Sequence, residues 1–381
     1  MSISRFYIPT RFIIGAGSLA QLGKEVAKLG KVALLATGKG GSMRRTGVLD
    51  KVLKDLEEKG VKAITFEKVE PNPRSSTVDE GAKIARENGV QVVIGMGGGS
   101  TMDASKCIAL ASSSTESIWD HYVNKVTSKG RVPPIVLVPT VAASGSEANN
   151  GAVITKWETH EKVPVMKPET HPTLSIIDPA LTLSLPARTT AQGGVDIFCH
   201  LVEAYITAHE STLINDSLRE SCMKTVVDTL PLLLNKLDDI EYRSRMTWAS
   251  TIACSQFANL GGGTGLMSMH GLEHALSGEY DIAHGDGLAA LLLAWMKYTL
   301  PVREAKFKQL GEKVFGETDG IAATEKWLKK VGMLFTLKDL GIRESDFEKL
   351  AANACKTAPW VAFHPTPLDV PAIVSIYKNS C

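Results

Sequence analysis

Val92–Ala111 reads VVIGMGGGSTMDASKCIALA. A short apolar run, Val92–Gly95, breaks into glycines at 97, 98 and 99, and a helical pattern starts near Ser100. A continuous apolar run of this kind is a strand buried on both faces. Glycine lets the chain turn tightly out of it and lets a ligand approach the backbone. The helix start presents unpaired N–H groups and the positive end of its dipole, a ready site for a pyrophosphate. In an open α/β sheet, ligands bind beyond the carboxyl ends of the strands, where this loop lies. A triple glycine alone also suits a plain turn; strand before and helix after favour the phosphate reading. The loop departs from the G-x-G-x-x-G fingerprint, because Ser100 stands where a glycine is needed. A Walker A motif is also absent, since Gly38-Lys39 lacks the upstream glycine and the following Ser/Thr. Asp103 and Lys106 share a face of the first helical turns. Asp103 reads either as an acid favoured by the dipole or as a side chain pointing at the ligand.

Working outward, Val32–Ala36, Ala63–Phe66 and Ile135–Val138 are further short apolar runs, and Leu174–Ile177 reads as an edge strand. Between them, Leu49–Lys59 and Asp79–Asn88 carry helical periodicity, and Ser18 is placed to cap a helix. Strands alternating with helices predict a parallel sheet covered on both faces, joined by right-handed crossovers. From about Leu185 the pattern is helical throughout, over 190–208, 213–234, 242–259, 270–276, 287–299, 304–315, 322–334 and 344–355, with no strand among them. The expected organisation is an α/β dinucleotide-binding domain over residues 1–185 and an all-helical metal- and substrate-binding domain over 186–381.

Within the helical half, His270 and His274 are four residues apart and His284 follows ten residues later. Asp196 and His200 repeat the four-residue spacing. Residues four apart share a helix face, and two helices each offering such a pair is how a metal site is built inside a helical domain. Any one of these histidines would pass as a satisfied core residue; together, with an acid and apolar neighbours, they read as metal ligands. Glycines at 193, 194, 261–263, 278 and 285 imply tight backbone approaches around them.

Composition excludes several classes. The chain has 381 residues, 44% hydrophobic and 22% charged, with a net charge of +1 from 42 basic and 41 acidic residues. That balance argues against nucleic acid or an anionic membrane as partner. The longest apolar run, Leu288–Met296, is far short of the ~20 residues that span a bilayer. The N-terminus lacks signal-peptide character. Six scattered cysteines form no CxxC pair, and five sit in segments where a buried free thiol is expected. A cytoplasmic location follows.

GGGSTMDASK (Gly97–Lys106), GGVDIFCHLVEAY, MHGLEH and DIAHGDGLA together resemble the iron-containing (group III) alcohol dehydrogenase family. The similarity runs almost end to end, from PTRFIIGAGSLAQLG onward; EHALSGEYDIAHGDGLA and VPTVAASGSEANNGAVIT resemble its butanol-dehydrogenase-like branch most. The resemblance implies an N-terminal Rossmann-like α/β domain and an all-α C-terminal domain, the dehydroquinate-synthase-like architecture, with a cofactor in the cleft between them. It implies metal ligands at Asp196, His200, His270 and His284. It implies a cofactor site drawn from Gly38, Gly40, Ser42, Asn72, Gly97, Gly98, Gly99, Ser100, Asp103, Thr140, Val141, Ser144 and Lys162. His274 and Asp103 are then the candidate catalytic residues, His274 beside the nicotinamide and Asp103 near the substrate end.

The chemistry fits that set. Oxidising an alcohol removes a proton and a hydride; a divalent metal makes the proton easier to lose, and a nicotinamide takes the hydride. Three imidazoles and a carboxylate suit Fe²⁺, Zn²⁺, Ni²⁺ or Co²⁺; the resemblance favours Fe²⁺. His274 reads equally as a proton relay or as packing against the nicotinamide. Where NAD-specific relatives carry an acid after the first strand, this chain has Gly38, with Lys39, Ser42, Arg44 and Arg45 nearby. That loop would accept a 2′-phosphate, so NADP(H) is expected over NAD(H). The expected substrate is a primary aliphatic alcohol or aldehyde, and the expected assembly a homodimer or larger homo-oligomer. Glycerol-dehydrogenase-like and dehydroquinate-synthase-like enzymes share the architecture but use other ligand patterns. A non-catalytic nucleotide sensor would not need both a ligand set and a dinucleotide loop.

Overall fold

The computed structural model of the chain describes residues 6–123 and 130–381. Eight strands lie among them: β1 (Arg11–Ile14), β2 (Val32–Gly38), β3 (Lys62–Val69), β4 (Val92–Gly97), β5 (Ile135–Pro139), β6 (Gly151–Lys156), β7 (Glu161–Met166) and β8 (Leu174–Ile177). Six helices accompany them: α1 (Leu22–Val26), α2 (Ser42–Arg45), α3 (Val48–Glu58), α4 (Ser75–Glu87), α5 (Gly99–Ala111) and α6 (Ile118–Tyr122). Eight more follow: α7 (Ala187–Thr207), α8 (Leu213–Asn235), α9 (Ile240–Ala253), α10 (Ser268–Tyr280), α11 (His284–Leu310), α12 (Gly320–Lys330), α13 (Phe347–Thr357) and α14 (Val370–Lys378). The chain divides into two compact units. One is Ile8–Val141 with Ser146–Leu183; the other is Ser184–Cys381 with Ala142–Gly145 and residues 6 and 7.

The first unit is a six-stranded sheet in the order β1-β8-β5-β4-β2-β3, every pair parallel. Successive side chains of a strand point to opposite faces, and both faces here are apolar. Leu34 and Ala36 join Phe66, Ala82 and Ile108 in the layer under α4 and α5. Ala33 and Leu35 join Leu22, Leu49 and Leu56 under α1 and α3. This is the expected doubly covered parallel sheet, with two differences. Leu174–Ile177 is not an edge: β8 lies between β1 and β5, and β1 forms the edge. Strand order is set by where crossovers land, which no local run of residues encodes. The second difference is an antiparallel hairpin, β6–β7, that the sequence reading passed over. Its Ala152, Ile154, Val163 and Val165 pack into the α4/α5 layer. Ser18 does not cap a helix either: Gly17 occupies the cap of the Ser18–Gln21 turn, and no side chain caps it.

The second unit is all helix among its described residues. α7 is its axis, with Phe198, Leu201, Val202 and Tyr205 fully buried against Leu230, Leu272 and Trp295. Gly194 lets α8 close on it, since a Cβ there would sit 2.5 Å from Leu230 Cδ2. The helices expected at 287–299 and 304–315 are joined: α11 runs from His284 to Leu310, broken at Arg303 two residues after Pro301. α14 is an addition, a nine-residue helix starting at Val370-Pro371, where proline suits the first turn. No helix among the described residues is long and apolar enough to cross a membrane.

Candidate active site

Three helices of the second unit bring the acid and the histidines together. α7 carries Asp196 and His200 one turn apart. α10 carries His270 and His274 and ends at Asp281, in left-handed backbone (φ 52°). That turn starts α11 with His284 as its first residue. Arg188 and Gln192 on α7 both reach Asp286, at 2.8 and 2.9 Å, and tie the start of α11 to α7. Gly285 makes the approach possible, because a Cβ there would lie 2.6 Å from Gln192 O.

Asp196 Oδ1 is the centre. It lies 3.3 Å from His200 Nδ1, 3.5 Å from His270 Nε2 and 3.7 Å from His284 Nε2. Asp196, His200 and His270 are buried and His284 is half-buried. Asp196 Oδ1, His200 Nδ1 and His270 Nε2 have no hydrogen-bond partner. Buried polar atoms are nearly always satisfied, so a group of converging orphans calls for something to converge on. Donors held tetrahedrally at ~2.1 Å from one ion stand about 3.4 Å apart, close to the three separations from Asp196 Oδ1, and Asp196, His270 and His284 offer ligand atoms that all lie within 4.8 Å of one another. The donor set fits a divalent transition metal.

The charges agree. Burial pushes the Asp196 carboxyl up, but the imidazoles of His200, His270 and His284 outweigh it and hold it well below the usual carboxylate range. Burial opposes charge on His270, yet Glu203 and Asp196 raise it to about 10. His200 is also raised: burial opposes charge there, and Cys254 and Asp196 favour it. Without an ion, protons would balance the carboxylates; metal binding to such a site releases them.

His274 is buried but stands aside from Asp196, its ring 5.8 Å from that of His284 and 6.5 Å from that of His270. Two carboxylates that the sequence reading missed complete the surroundings. Glu203 on α7 accepts from His270 Nδ1 and from the Met269 N–H. Glu273 on α10 accepts from His284 Nδ1 and, at 2.7 Å, from Ser277 Oγ. The available signal was a lone acid within the otherwise apolar Leu201–Ile206 run of α7, and a second acid inside His270–His274.

The sheet unit holds the glycine loop. β4 ends at Gly97, Gly98 is extended (ψ −174°), and α5 begins at Gly99. A Cβ on Gly97 would lie 2.5 Å from Thr101 Oγ1, so only glycine lets α5 fold back so closely on its strand. Gly38, at the end of β2, has Thr101 Oγ1 3.7 Å from its ideal Cβ position. Thr140 N donates to Gly97 O at 2.9 Å, and Val141 borders Gly98. The structure thus brings Gly38, Gly97–Ser100, Thr140 and Val141 around one helix start. Asn72, in left-handed backbone (φ 50°), accepts from Lys162 Nζ at 2.9 Å and joins the hairpin to the β3–α4 connection. Asp103 accepts from Ser146 Oγ at 2.6 Å and Val153 N at 2.9 Å, which ties α5 to β6. Burial pushes its carboxyl up against Lys106, Ser146 and the Val153 N–H. Ser144 belongs to the other unit: its segment follows α7 and α9, with Ala143 N donating to Ser250 Oγ at 2.9 Å.

Around Gly40 and Ser42 the arginines are engaged. Arg45 Nη1 donates to Gly40 O. Arg44 donates from Nε and Nη2 to the two oxygens of Glu67 and has Asp50 at 3.6 Å.

Residues 9–179 match the model of the iron-containing alcohol dehydrogenases, and residues 190–381 match the C-terminal domain of the same family. The chain belongs to the iron-containing alcohol dehydrogenase family. It is 36% identical to the NADH-dependent butanol dehydrogenase B of Clostridium acetobutylicum over 98% of both chains. An NADPH-dependent aldehyde reductase of Escherichia coli is 32% identical over 92% of both. A crystal structure of NADH-dependent butanol dehydrogenase A from Thermotoga maritima superposes with a TM-score of 0.94 at 34% identity, covering 100% of this chain and 99% of that one. As a family member of the butanol-dehydrogenase-like branch, the chain is a metal-dependent oxidoreductase that interconverts alcohols and aldehydes.

Proposed function

We propose that this enzyme reduces primary aliphatic aldehydes, and oxidises the matching alcohols, with Fe²⁺ held by Asp196, His200, His270 and His284. The convergence of three imidazole nitrogens on Asp196 Oδ1, with buried atoms left unsatisfied, carries this reading. The ion would supply Lewis acidity at the substrate oxygen, and a bound nicotinamide the hydride. The chain supplies the rest. Asp196 offsets positive charge and the histidines fix the coordination directions. His274, buried beside them, orients the substrate or relays its proton. Gly97–Ser100, Thr140, Val141 and Gly38 form the pyrophosphate and ribose cradle, with Asn72 and Lys162 completing the cofactor set in that unit. Asp103, with two bonds inside its own unit, supports that cradle.

The absence of an acid at Gly38 still favours tolerance of a 2′-phosphate. Against a strong NADP(H) preference stands Glu67, which already engages Arg44. We therefore propose use of both cofactors, with Arg44 as the element that decides the ratio. Six cysteines, none of them in a disulfide, fit a reducing, cytoplasmic setting. β1, paired only with β8 among the described residues, offers an outer edge for self-association into a homo-oligomer. The direct test follows NADH and NADPH absorbance with butanal before and after chelation. Loss on chelation and recovery with Fe²⁺ is expected; turnover indifferent to chelation overturns the assignment.

A further inference from the structure

Glu203 and Glu273 have no exposed surface, and each has one carboxylate oxygen on a histidine ring and the other on α10 itself. Burying a carboxylate is costly unless its charge is used. A residue needed only for packing here would be apolar. In both cases the histidine nitrogen engaged is Nδ1, and in both the opposite nitrogen, Nε2, faces Asp196 Oδ1. A carboxylate on Nδ1 keeps a hydrogen there and leaves Nε2 with its lone pair toward the site. The arrangement steps along the chain: α7 carries the acid that holds the histidine of α10, and α10 carries the acid that holds the histidine of α11. α11 makes room for this. A Cβ on Gly287 would lie 2.8 Å from Glu273 Cγ and 2.9 Å from its Oε1.

We propose that Glu203 and Glu273 are positioning residues of the metal centre, fixing the tautomer and ring direction of His270 and His284 respectively. The proposal rests on the metal reading above. Its consequence is specific: metal retention depends on two glutamates outside the proposed ligand set.

The probe is Co²⁺, whose visible absorption reports ligand geometry, bound to the full-length protein in competition with a chelator. Glu273→Ala should lose about 10- to 100-fold in Co²⁺ affinity and change the absorption bands. Glu273→Gln, close to isosteric but uncharged, should fall between it and wild type. Gly287→Ala leaves every charge in place but displaces Glu273, and should move the spectrum in the same direction. KM for the nicotinamide should not change in any of them, whereas kcat should fall. Wild-type affinity and an unchanged spectrum in folded Glu273→Gln and Gly287→Ala overturn the proposal while leaving the metal site standing. A wild-type protein that takes up no Co²⁺, Zn²⁺ or Fe²⁺ overturns the metal reading and this proposal with it. Where Glu273→Ala does not fold, the other two variants decide.

Discussion

Arg44 on the one-turn helix α2 presents its fork to both oxygens of Glu67, near the end of β3. The pair is half exposed on the arginine side and less so on the glutamate side, with Glu67 held below its usual carboxylate range mainly by this hydrogen bond. An arginine committed in this way must leave one partner to meet a 2′-phosphate. Exposed pairs of this kind contribute little to stability, so a phosphate can compete for the arginine. Glu67→Gln should therefore raise kcat/KM with NADPH about two- to fivefold over that with NADH. Arg44→Ala should move the ratio the other way. Identical ratios in the three proteins would show that Arg44 takes no part in cofactor choice.

Gly193 gives a second prediction, on stability. A Cβ there would lie 2.3 Å from Ala142 O, a backbone atom of the segment that α7 and α9 hold. A backbone oxygen cannot rotate away as a side chain can, so Gly193→Ala should destabilise by about 1–3 kcal/mol. At Gly194 the atoms met are the flexible methyl groups of Leu230, and Gly194→Ala should cost less. Thermal unfolding of the two variants gives the order; equal melting temperatures would contradict it.

How much of this was legible in the residues follows from where each signal resides. β2, β4 and β5 are continuous apolar runs ending in glycine or proline, and the sheet exposes neither face, so the run is itself the signal. β6–β7 was not legible. Its Lys156-Trp157-Glu158-Thr159-His160-Glu161 turn and Pro164 argue against a strand, and its burial comes from α5, far off in sequence. That Asp196, His200 and His270 come together was legible because four-residue spacing on a helix is local geometry. Glu203 and Glu273 were not, because a glutamate on a helix usually faces water and only packing shows that these do not. The same holds for Arg44, which reads as an available cation until Glu67 is placed beside it.

Glu25 gives a pH prediction remote from the candidate metal site. Hydrogen bonds from Arg11, on the edge strand β1, and from Lys28 lower its carboxyl to about 2, and burial opposes them only partly. Because the folded-state value is depressed, the contribution to stability is present above the ordinary carboxylate value of 4.5 and lost as pH falls toward about 2. Arg11→Gln with Lys28→Gln removes that contribution at neutral pH. The double variant should be less stable than wild type at pH 7, with the gap closing as pH falls below 4.5. Urea unfolding across that range checks it; a gap independent of pH would mean that the two cations act through packing alone.

Substitution of His270 tests the proposed metal site separately from nucleotide binding. It faces Asp196 with Nε2 and Glu203 with Nδ1, and its ring centroid lies 4.3 Å from that of His200. His270→Ala removes a donor and leaves Glu203 buried without its imidazole partner. A buried carboxylate left unpaired costs several kcal/mol, so the variant should lose stability as well as metal. The glycine loop belongs to the other compact unit, with its own core. Nucleotide binding should therefore survive: NADH fluorescence titration should give a Kd within about threefold of wild type. Metal content by mass spectrometry should fall to background, and butanal reduction with it. Leaving His270 intact and removing the ion with a chelator should reproduce the lost activity, and added Fe²⁺ or Zn²⁺ should restore it in wild type but not in the variant. A variant that keeps both metal and turnover would remove His270 from the site.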